Sequence, residues 1–331
     1  MRILFAVPGN LKTVPMGRYV GDALREHAAE VVTVDYAPTL MEKIAGRFLH
    51  GRDRSRMVES RLLAAIEEVR PDLFITLYGV NVSRNVLRHL DSKNIATVNW
   101  WLNDPFQFER AMTILPHYKV RITNAKYSVD AYRERGVRDV LFLPTACHPP
   151  LHRPVPPVDS LRSDISFAGD WSLNRERAVV SLVQQNEWRI RVFGPWQKKV
   201  RRHSPILPCL THGFFSTEQM ASIFCSSKAT LNIHTWRGKA DFGLNPRVFE
   251  AAACGVPQIV DWKRELDEIL SPDARRSLFI YGDDEEMLMQ CRAAMADPLA
   301  ARERSRAVVD YFHQEHSYSA RIRELFKVLG A

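Results

Sequence analysis

Residues 232–260 read NIHTWRGKADFGLNPRVFEAAACGVPQIV, and this stretch decides the fold of the second half of the chain. A short apolar strand ends near His234 and runs into a polar loop, from which a helix over residues 246–254 emerges. Proline suits the first position of a helix, and glycine is common just after the last turn, as at Gly255. A Val-Pro pair then leads into the next apolar run. The stretch therefore predicts a strand–loop–helix–strand unit of a parallel sheet.

The start of this helix has the features of an anion site. Asn245 is a good N-cap residue, the first N–H groups of the helix are free, and Arg247 adds a positive charge. Glu250 follows Arg247 by three positions on the same helix face, where its carboxylate could accept hydrogen bonds from a ribose diol. The alternative is a surface ion pair between Arg247 and Glu250 on a capped helix. The residues alone leave both interpretations open.

Short apolar runs alternate with amphipathic stretches along the whole chain, which is typical of βα units around parallel sheets. The predicted strands cover residues 3–7, 31–35, 73–78, 96–101, 119–123, 140–143, 164–169, 189–193, 229–234, 258–261 and 278–281. The predicted helices cover residues 18–27, 57–70, 83–90, 105–114, 127–135, 174–185, 217–225, 246–254, 284–296, 299–313 and 318–329.

Six prolines between Pro144 and Pro157 interrupt this pattern and predict an extended connector. We therefore predict an α/β fold of two Rossmann-like, doubly wound domains, over residues 1–150 and 151–315. Residues 316–331 are expected to form a C-terminal helix that packs back on the first domain. Because ligands of open α/β sheets bind at the carboxyl ends of the strands, a cleft between the domains is the expected site.

The composition is that of a globular protein with an excess of positive charge. Forty-six Lys and Arg residues against 38 Asp and Glu residues give a formal net charge of +8, which favours anionic ligands. The basic run at residues 198–203 has no RNA-binding aromatic signature beside it, so nucleic acid is not a predicted partner. The five cysteines lack a Cys-x-x-Cys pair, which predicts a reducing compartment and no metal site. No run approaches the roughly 20 apolar residues of a membrane span, so we expect a soluble, cytoplasmic protein.

From Asp164 onward the chain resembles the glycosyltransferase domain of the spore-maturation CgeB-like family, within the GT-B group 1/family 4-like superfamily. The motifs that carry the resemblance are Ile165-Ser-Phe-Ala-Gly169, Leu231-Asn-Ile-His234, Asn245-x-Arg247-x-Phe249-Glu250, Ala253-x-Gly255-x-Pro257 and Glu315-His316-x-Tyr318-x-x-Arg321. The first half matches more loosely, through Trp100-x-x-Asn103-Asp104-Pro105 and Leu143-Pro144-x-Ala146. The resemblance implies a GT-B enzyme whose second domain binds a nucleotide-sugar, with a UDP-sugar favoured, and whose first domain binds the acceptor. It implies no cofactor beyond that donor and no metal.

In such enzymes the glutamate that matches Glu250 holds the ribose hydroxyls, and basic residues near the cleft neutralise the diphosphate leaving group. Lys239 and Arg247 stand nearest the motif and rank first for this catalytic role. The other donor-side candidates are Gly169, Arg175, Arg177, Gly194, Trp196, His234, Arg237 and Asn245.

Three of these candidates have an equally simple structural explanation. The family counterpart of the junction after Gly169 lies near the donor phosphates, yet Arg175 and Arg177 could be ordinary helix-surface arginines. Trp196 stands where relatives contact the nucleobase, and a core or rim tryptophan is the alternative.

The chain departs from its relatives on the sugar side. Retaining relatives carry a second acidic residue seven or eight positions before the helix glutamate, and those positions here are Gly243 and Phe242. Either Asp241 takes this role or the backbone amides from Phe242 to Leu244 hold the sugar. Retention of configuration is therefore implied only by superfamily resemblance.

The first half offers candidates for the acceptor side. Asp104 ends a strand and could be the general base for an acceptor hydroxyl, or it could cap a helix that begins at Pro105. Asn103 and the loop residues Gly9 and Asn10 are further candidates. His148 and His234 are either cleft residues or satisfied structural histidines.

A glycosyltransferase with an unidentified acceptor is the leading interpretation. A nucleotide-sugar epimerase of the UDP-GlcNAc 2-epimerase type shares the architecture, but it needs several acidic and histidine residues that converge on the sugar. A non-catalytic binding or assembly protein on the same scaffold is the third interpretation. A peripheral membrane contact and the oligomeric state stay open.

Overall fold

The computed structural model describes residues 1–8, 15–36, 51–211 and 213–330. Among them, the chain divides into two compact units. The first unit contains the described residues up to Pro144 together with residues 321–330, and the second contains residues 145–211 and 213–320. The division falls directly after Pro144, at the start of the proline-rich segment, so the first unit ends where the prolines begin.

The first unit is built on a six-stranded parallel sheet with the strand order β2-β1-β3-β4-β5-β6. Its strands are β1 Arg2–Val7, β2 Glu30–Asp35, β3 Leu73–Leu77, β4 Ala96–Trp101, β5 Val120–Thr123 and β6 Val140–Phe142. Its helices are α1 Met16–His27, α2 Gly51–Val69, α3 Arg84–Ser92, α4 Phe108–Met112 and α5 Ser128–Glu134. Strand β3 is buried at every position, which explains why all of its residues except Thr76 are apolar.

The second unit is built on a five-stranded parallel sheet with the strand order β11-β10-β9-β7-β8. Its strands are β7 Ser163–Ala168, β8 Ile190–Phe193, β9 Ser227–Asn232, β10 Gln258–Asp261 and β11 Leu278–Tyr281. Its helices are α6 Leu173–Gln184, α7 Thr217–Cys225, α8 Arg247–Ala253, α9 Arg264–Glu268, α10 Pro272–Arg276, α11 Asp284–Ala296, α12 Pro298–Arg306 and α13 Val309–Glu315. The last helix, α14 Tyr318–Leu329, starts in this unit and continues into the first.

The two parallel sheets confirm the predicted fold class, and several predicted elements need correction. Helix α4 is shorter than the predicted 105–114 and is followed by a 3-10 turn at Leu115–His117. The single helix predicted over 299–313 is two helices, because the chain leaves the helical conformation at Val308 and buries that side chain. The five-residue helices α9 and α10 had no prediction, since they are too short to show a helical period.

The segment after Pro144 has no helix or strand before the 3-10 turn at Asp159–Leu161. It is nevertheless well packed, because Cys147, His148 and His152 are buried. Cys147 also exchanges backbone hydrogen bonds with the chain around Ser317. None of the helices in the described parts of the chain is both long and apolar enough to cross a lipid bilayer.

Candidate functional site

The carboxyl ends of β7 and β8 meet in a close backbone contact. The Gly169 amide donates to the Phe193 carbonyl at 2.9 Å, and Gly194 follows with a φ of +149°. A Cβ atom on Gly194 would lie 2.2 Å from the Gly169 carbonyl oxygen, so only glycine fits this position. The candidate residues Gly169 and Gly194 therefore shape this edge of the sheet through their backbones.

Substitution of Gly194 by alanine is expected to destabilise the protein by about 3 kcal/mol, because it combines an unfavourable φ with a backbone clash. The control is Gly213→Ala, at a φ of +79° with no atom within 4 Å of the added Cβ. That substitution should cost only about 1 kcal/mol of backbone strain. Urea denaturation of both variants measures the difference, and equal losses would show that the close contact with Gly169 is unimportant.

Trp196 does not fit the predicted stacking on a nucleobase. Its side chain is fully buried in the core of the second unit, edge-on to Phe167 with ring centroids 5.3 Å apart. Its indole N–H donates to the Gly169 carbonyl at 2.8 Å. Trp196 is thus a core residue that fixes the end of β7, which is the structural alternative that the sequence left open.

Two arginines converge on the carboxyl end of β7. Arg175, in the first turn of α6, donates from Nε and Nη2 to the Ile233 carbonyl at 3.0 and 2.9 Å, and from Nη1 to the Asp170 carbonyl. Arg247, at the start of α8, donates from Nε to the Ala168 carbonyl at 3.1 Å. Arg175 is therefore not an ordinary surface residue, because its guanidinium is turned inward to the end of the sheet.

The two guanidinium groups are close enough to repel each other. Burial, reinforced by the charge of Arg247, lowers the pKa of Arg175 to about 10. Both side chains line a small cavity of about 10 Å³ beside β7 and β9, room for about one water molecule. The side-chain hydrogen bonds from Arg175 to the Ile233 and Asp170 carbonyls all have neutral acceptors, so they do not compensate its charge. Arg177, two residues further on, is exposed and lies apart from this arrangement.

Glu250 is fully buried, and Arg247 donates to one of its carboxylate oxygens. The other oxygen, Oε1, has no hydrogen-bond partner among the described residues and lies 3.9 Å from His152 Nε2. Burial raises the pKa of Glu250, against the opposing effect of Arg247. The predicted i,i+3 pair therefore exists, but it is a buried pair and not a surface one.

Asn245 does not cap the helix as predicted. Its amide exchanges two hydrogen bonds with Asn232 at the end of β9, at 2.8 and 3.1 Å. The N-cap position is taken by Pro246, which the sequence analysis had placed one residue further into the helix, and no side chain caps α8. The amide pair ties the loop to the sheet, a tertiary contact that outweighs the local capping preference.

His152 is a buried neighbour of Glu250 that the sequence analysis missed. Its Nδ1 accepts from the His148 backbone N–H at 2.9 Å, and its carbonyl lies 2.9 Å from His313 Nε2. Burial, followed by the charge of Arg247, holds the pKa of His152 well below its ordinary value. A neutral imidazole therefore faces the unpartnered oxygen of Glu250. The candidate His148 contributes through its backbone.

The polar loop before α8 lines an open pocket of about 460 Å³ together with the end of β10. Arg237 is paired with Asp284 at 2.6 Å, and Asp241 is paired with Arg264 at 2.7 Å. Lys239 is exposed, its backbone N–H donates to the Trp236 carbonyl at 2.9 Å, and its ammonium group has no hydrogen bond or ion pair among the described residues. Of the three charged loop residues, Lys239 is thus the one whose charge is uncompensated.

The Gly243 amide, one of those expected to hold the sugar, is already occupied. It donates to both carboxylate oxygens of Glu265 at 2.8 Å, and Glu265 is buried. The neighbouring Leu244 is buried too, and its carbonyl accepts from the Thr145 hydroxyl at 3.3 Å. The sequence analysis missed Glu265. The available signal was its position shortly after β10, at the carboxyl edge of the sheet, where ligand-binding residues are expected.

His234, after β9, is fully buried and bound to Asp261. The carboxylate oxygen Oδ1 lies 2.7 Å from His234 Nδ1 and 2.8 Å from the His234 backbone nitrogen. Lys263 Nζ lies 2.8 Å from the other carboxylate oxygen. Burial raises the pKa of Asp261, but His234 and Lys263 more than offset this and hold it below its ordinary value. His234 Nε2 is buried without a hydrogen-bond partner among the described residues.

In the first unit, Asp104 is fully buried and does not cap a helix, which was one of the two roles that the sequence left open. Its Oδ2 accepts from the Thr123 and Tyr132 hydroxyls at 2.6 and 2.8 Å, and its Oδ1 has no partner among the described residues. Helix α4 begins four residues later, and Gln107 occupies its N-cap. Burial raises the pKa of Asp104 to about 6, although both hydroxyls act in the opposite direction.

The remaining acceptor-side candidates are only partly described. The Asn103 side-chain amide donates to Gln107 Oε1 at 3.3 Å. Gly9 and Asn10 lie outside the described residues. Within the second unit, the structure brings Arg175, Arg247 and Glu250 together and leaves Arg177 and Lys239 exposed.

Comparison with known proteins gives one family match, and solved structures show that the chain has the fold of GT-B glycosyltransferases. Residues 175–327, just under half of the chain, match the model of the glycosyl transferase-like family. This range includes both converging arginines and Glu250. The finer resemblance to the CgeB-like family stays a prediction, and no curated protein matches the chain.

Three solved structures illustrate the similarity over nearly the full chain. HepE from Anabaena in complex with UDP-glucose is 12% identical with a TM-score of 0.70, covering 100% of this chain and 99% of that one. Sucrose-phosphate synthase from Thermosynechococcus elongatus is 14% identical with a TM-score of 0.68, covering 99% of each chain. UDP-GlcNAc 2-epimerase from Neisseria meningitidis bound to UDP-GlcNAc is 10% identical with a TM-score of 0.56, covering 100% of each. At these identities the likeness concerns the fold alone.

Proposed function

We propose that this protein is a glycosyltransferase that moves a sugar from a nucleotide diphosphate sugar to an acceptor. The observation that carries the proposal is the pair of inward-turned guanidinium groups of Arg175 and Arg247 at the end of β7. The cavity that both side chains line has room for only about one water molecule, so a diphosphate would bind beside the pair, where its charge would relieve their mutual repulsion. The match of residues 175–327 to the glycosyl transferase-like family supports the same reading.

The same arginines suit the chemistry of the departing nucleotide. Cleavage of the bond between the sugar and the phosphate leaves negative charge on the diphosphate, and fixed cations stabilise that charge without reorganisation. Guanidinium groups also bind phosphate oxygens through two parallel N–H donors. We infer that Arg175 and Arg247 supply the positive charge that other enzymes take from a metal ion, with Lys239 as a further mobile cation. The UDP-glucose bound by HepE makes UDP the first nucleotide to test.

Glu250 is proposed to hold the ribose hydroxyls of the donor. In the present structure its carboxylate is bound by Arg247, so the two roles are linked. A diphosphate that engages Arg247 would weaken this internal pair and free the carboxylate for the diol. Retention of configuration remains part of the proposal through the superfamily resemblance alone.

The substitution Glu250→Gln is expected to weaken UDP binding about tenfold. It replaces the charged carboxylate that would accept hydrogen bonds from the two ribose hydroxyls by a neutral amide. Isothermal titration calorimetry should compare UDP with 2′,3′-dideoxy-UDP on both proteins. The dideoxy nucleotide lacks the hydroxyls and should not share this loss. Because the variant also frees Arg247 for the diphosphate, its affinity for the dideoxy nucleotide should be equal to or higher than that of the parent. Equal losses for both nucleotides would exclude a ribose contact, and parental UDP affinity would show that the site is misplaced.

An epimerase is the second candidate, and one observation favours it. The second unit contains two buried contacts between a histidine and a carboxylate, at His152 with Glu250 and at His234 with Asp261. The sequence analysis had found no such convergence. The two functions differ in product, so the protein should be incubated with UDP-GlcNAc without an acceptor and the nucleotide-sugars followed by NMR. A C2 isomer of the substrate would identify an epimerase and overturn the transferase proposal.

A broader test covers the choice of nucleotide. Thermal-shift measurements against UDP-, GDP-, dTDP- and CMP-sugars should show stabilisation by at least one donor, by more than about 1 kcal/mol at ten times its dissociation constant. Stabilisation by none of the four would contradict both the transferase and the epimerase.

A further inference from the structure

The first unit contains a cavity of about 640 Å³ that no proposed role has used so far. Thr97 near the start of β4 and Lys119 just before β5 both line it. The cavity therefore lies at the amino edge of the first sheet, whereas Asp104 follows the carboxyl end of β4. The residues that line it are Arg84, Leu87, Arg88, Asp91, Thr97, Pro116, His117, Tyr118, Lys119 and Arg121.

Four of these residues are permanent cations, and one is an acid. Asp91 is paired with Lys119 at 2.8 Å. None of Arg84, Arg88 and Arg121 forms an ion pair with a carboxylate in the parts of the chain that the structure describes. Glu59, one of the acids of the neighbouring helix α2, accepts from the Asn85 amide and interacts with the charge of Arg88 without forming an ion pair with it. The lining thus carries three positive charges without a partner of opposite sign.

The contacts of the three arginines leave most of their donors available. Arg84 Nη2 lies 3.1 Å from His117 Nε2, and Arg88 Nη2 donates to the Asn85 side-chain carbonyl at 2.5 Å. Arg121 Nη1 donates to the Arg138 carbonyl at 3.1 Å, while its Nε is buried and has no partner among the described residues. A buried guanidinium N–H that lacks an acceptor is costly unless a ligand supplies one.

Like charges that converge on one cavity destabilise the unit that holds them unless an anion is bound there. Phosphate suits a site with several arginines, because the planar fork of N–H groups matches two phosphate oxygens and one phosphate group can contact more than one guanidinium. Arg84 reaches Nε2 of His117, which must therefore act as the acceptor, so the proton of this neutral imidazole is on Nδ1. The cavity thus presents donors and few acceptors.

We propose that this cavity is a second anion site, which binds a phosphate-bearing ligand of the diphosphate or phospholipid-headgroup type. The site is independent of the proposed donor site, because all its residues lie in the first unit and at the amino edge of that sheet. It holds whether or not the protein transfers sugars.

Calorimetric titration with inorganic pyrophosphate is the direct test, with the double variant Arg84→Gln/Arg88→Gln. We expect this variant to bind pyrophosphate at the cavity about tenfold more weakly than the parent, or worse. The control Arg133→Gln removes an equally exposed arginine of the same unit that is paired with Asp130, and it should change the affinity less than twofold. Arg175→Gln reports pyrophosphate bound at the proposed donor site. A double variant that binds like the parent overturns the proposal, whatever Arg175→Gln does.

A second measurement uses the unaltered protein, in case the double variant does not fold. Acetylation of lysines, followed by mass spectrometry, should show that pyrophosphate protects Lys119 severalfold. Lys93, whose side chain is 40% exposed against 48% for Lys119, is the internal reference and should react at an unchanged rate. Equal protection of both lysines, or of neither, contradicts the site.

Vesicle flotation distinguishes the two sources of the phosphate. Vesicles of phosphatidylglycerol and phosphatidylcholine should bind the parent, but not the double variant, if the ligand is a lipid headgroup, whereas pure phosphatidylcholine should bind neither. Pyrophosphate binding without flotation supports a soluble ligand at the same site. Equal flotation of the parent and the double variant with the anionic vesicles excludes the lipid source, whereas the pyrophosphate titration of the two proteins decides whether the site exists.

Discussion

Replacement of Arg175 by glutamine is expected to weaken UDP binding about a hundredfold, since charge-assisted hydrogen bonds to phosphate in a poorly solvated place are strong. Arg175 is held by the Ile233 and Asp170 carbonyls, so its position is fixed before the ligand arrives. Its pKa is lowered to about 10, first by burial and then by Arg247, so it remains charged at neutral pH. The loss should be measured by isothermal titration calorimetry with UDP.

Arg177→Gln is the matched control for this prediction. It removes the same charge two residues along the same helix, from an exposed position away from Arg247, and should leave UDP affinity within about twofold of the parent. The variant Arg175→Lys keeps the charge but loses the fork of donors, so an intermediate affinity is expected. Because Arg175→Gln also removes the repulsion from Arg247, the variant should fold normally, which its melting temperature can verify. Equal effects of both glutamine variants would refute a specific phosphate contact at Arg175.

The architecture was predictable because its signals are local. Short, mainly apolar runs such as β3 are typical of strands covered on both faces. Helices α7, α11 and α14 have the bounds that their sequences predict. The Arg247–Glu250 pair was also predictable from spacing. Its burial was not, because burial depends on which neighbours cover α8, and those neighbours are distant in sequence.

The errors at the site have one common cause, the competition of long-range partners with local rules. Asn245 has the right type and position to cap α8, but Asn232 lies within reach on β9 and offers both a donor and an acceptor. The Gly243 amide could have served a ligand, but Glu265 takes it. Trp196 follows a strand like a rim residue, yet its ring packs in the core against Phe167 and its indole N–H donates to the Gly169 carbonyl.

His152 shows the same limit from the other side. Nothing in the proline-rich segment marks this histidine as special, and its importance comes only from its distance of 3.9 Å to Glu250 Oε1. Perturbed titratable groups tend to gather at functional sites, so such contacts identify candidates that motifs do not. The residues of the site are therefore identified by contacts between distant parts of the chain, whereas the sheet itself could be predicted from the pattern of apolar residues in the sequence.

The substitution Asp104→Asn is expected to make the protein more stable than the parent at neutral pH, and the advantage should disappear in acid. Burial raises the pKa of Asp104 from 3.8 in the unfolded chain to about 6 in the folded protein. The folded state therefore binds this proton more tightly than the unfolded chain. The stabilisation that protonation of Asp104 contributes is complete below about pH 4 and is lost as the pH rises through 6. The difference in pKa corresponds to about 3 kcal/mol.

The measurement is the free energy of unfolding in urea for both proteins at several values between pH 4 and 8. Because all other groups titrate in both proteins, the difference between them isolates Asp104. The Thr123 and Tyr132 hydroxyls can still donate to the oxygen of an asparagine, so the buried geometry is preserved, although the new amide faces the position where Oδ1 had no partner. That cost does not depend on pH, so it shifts the whole difference curve and leaves its slope unchanged.

The exposed Asp130→Asn, which removes a carboxylate paired with Arg133, should give a nearly flat difference curve. A flat curve for Asp104→Asn as well would mean that the carboxylate of Asp104 is solvated in the folded protein, in conflict with its complete burial beneath β4 and β5.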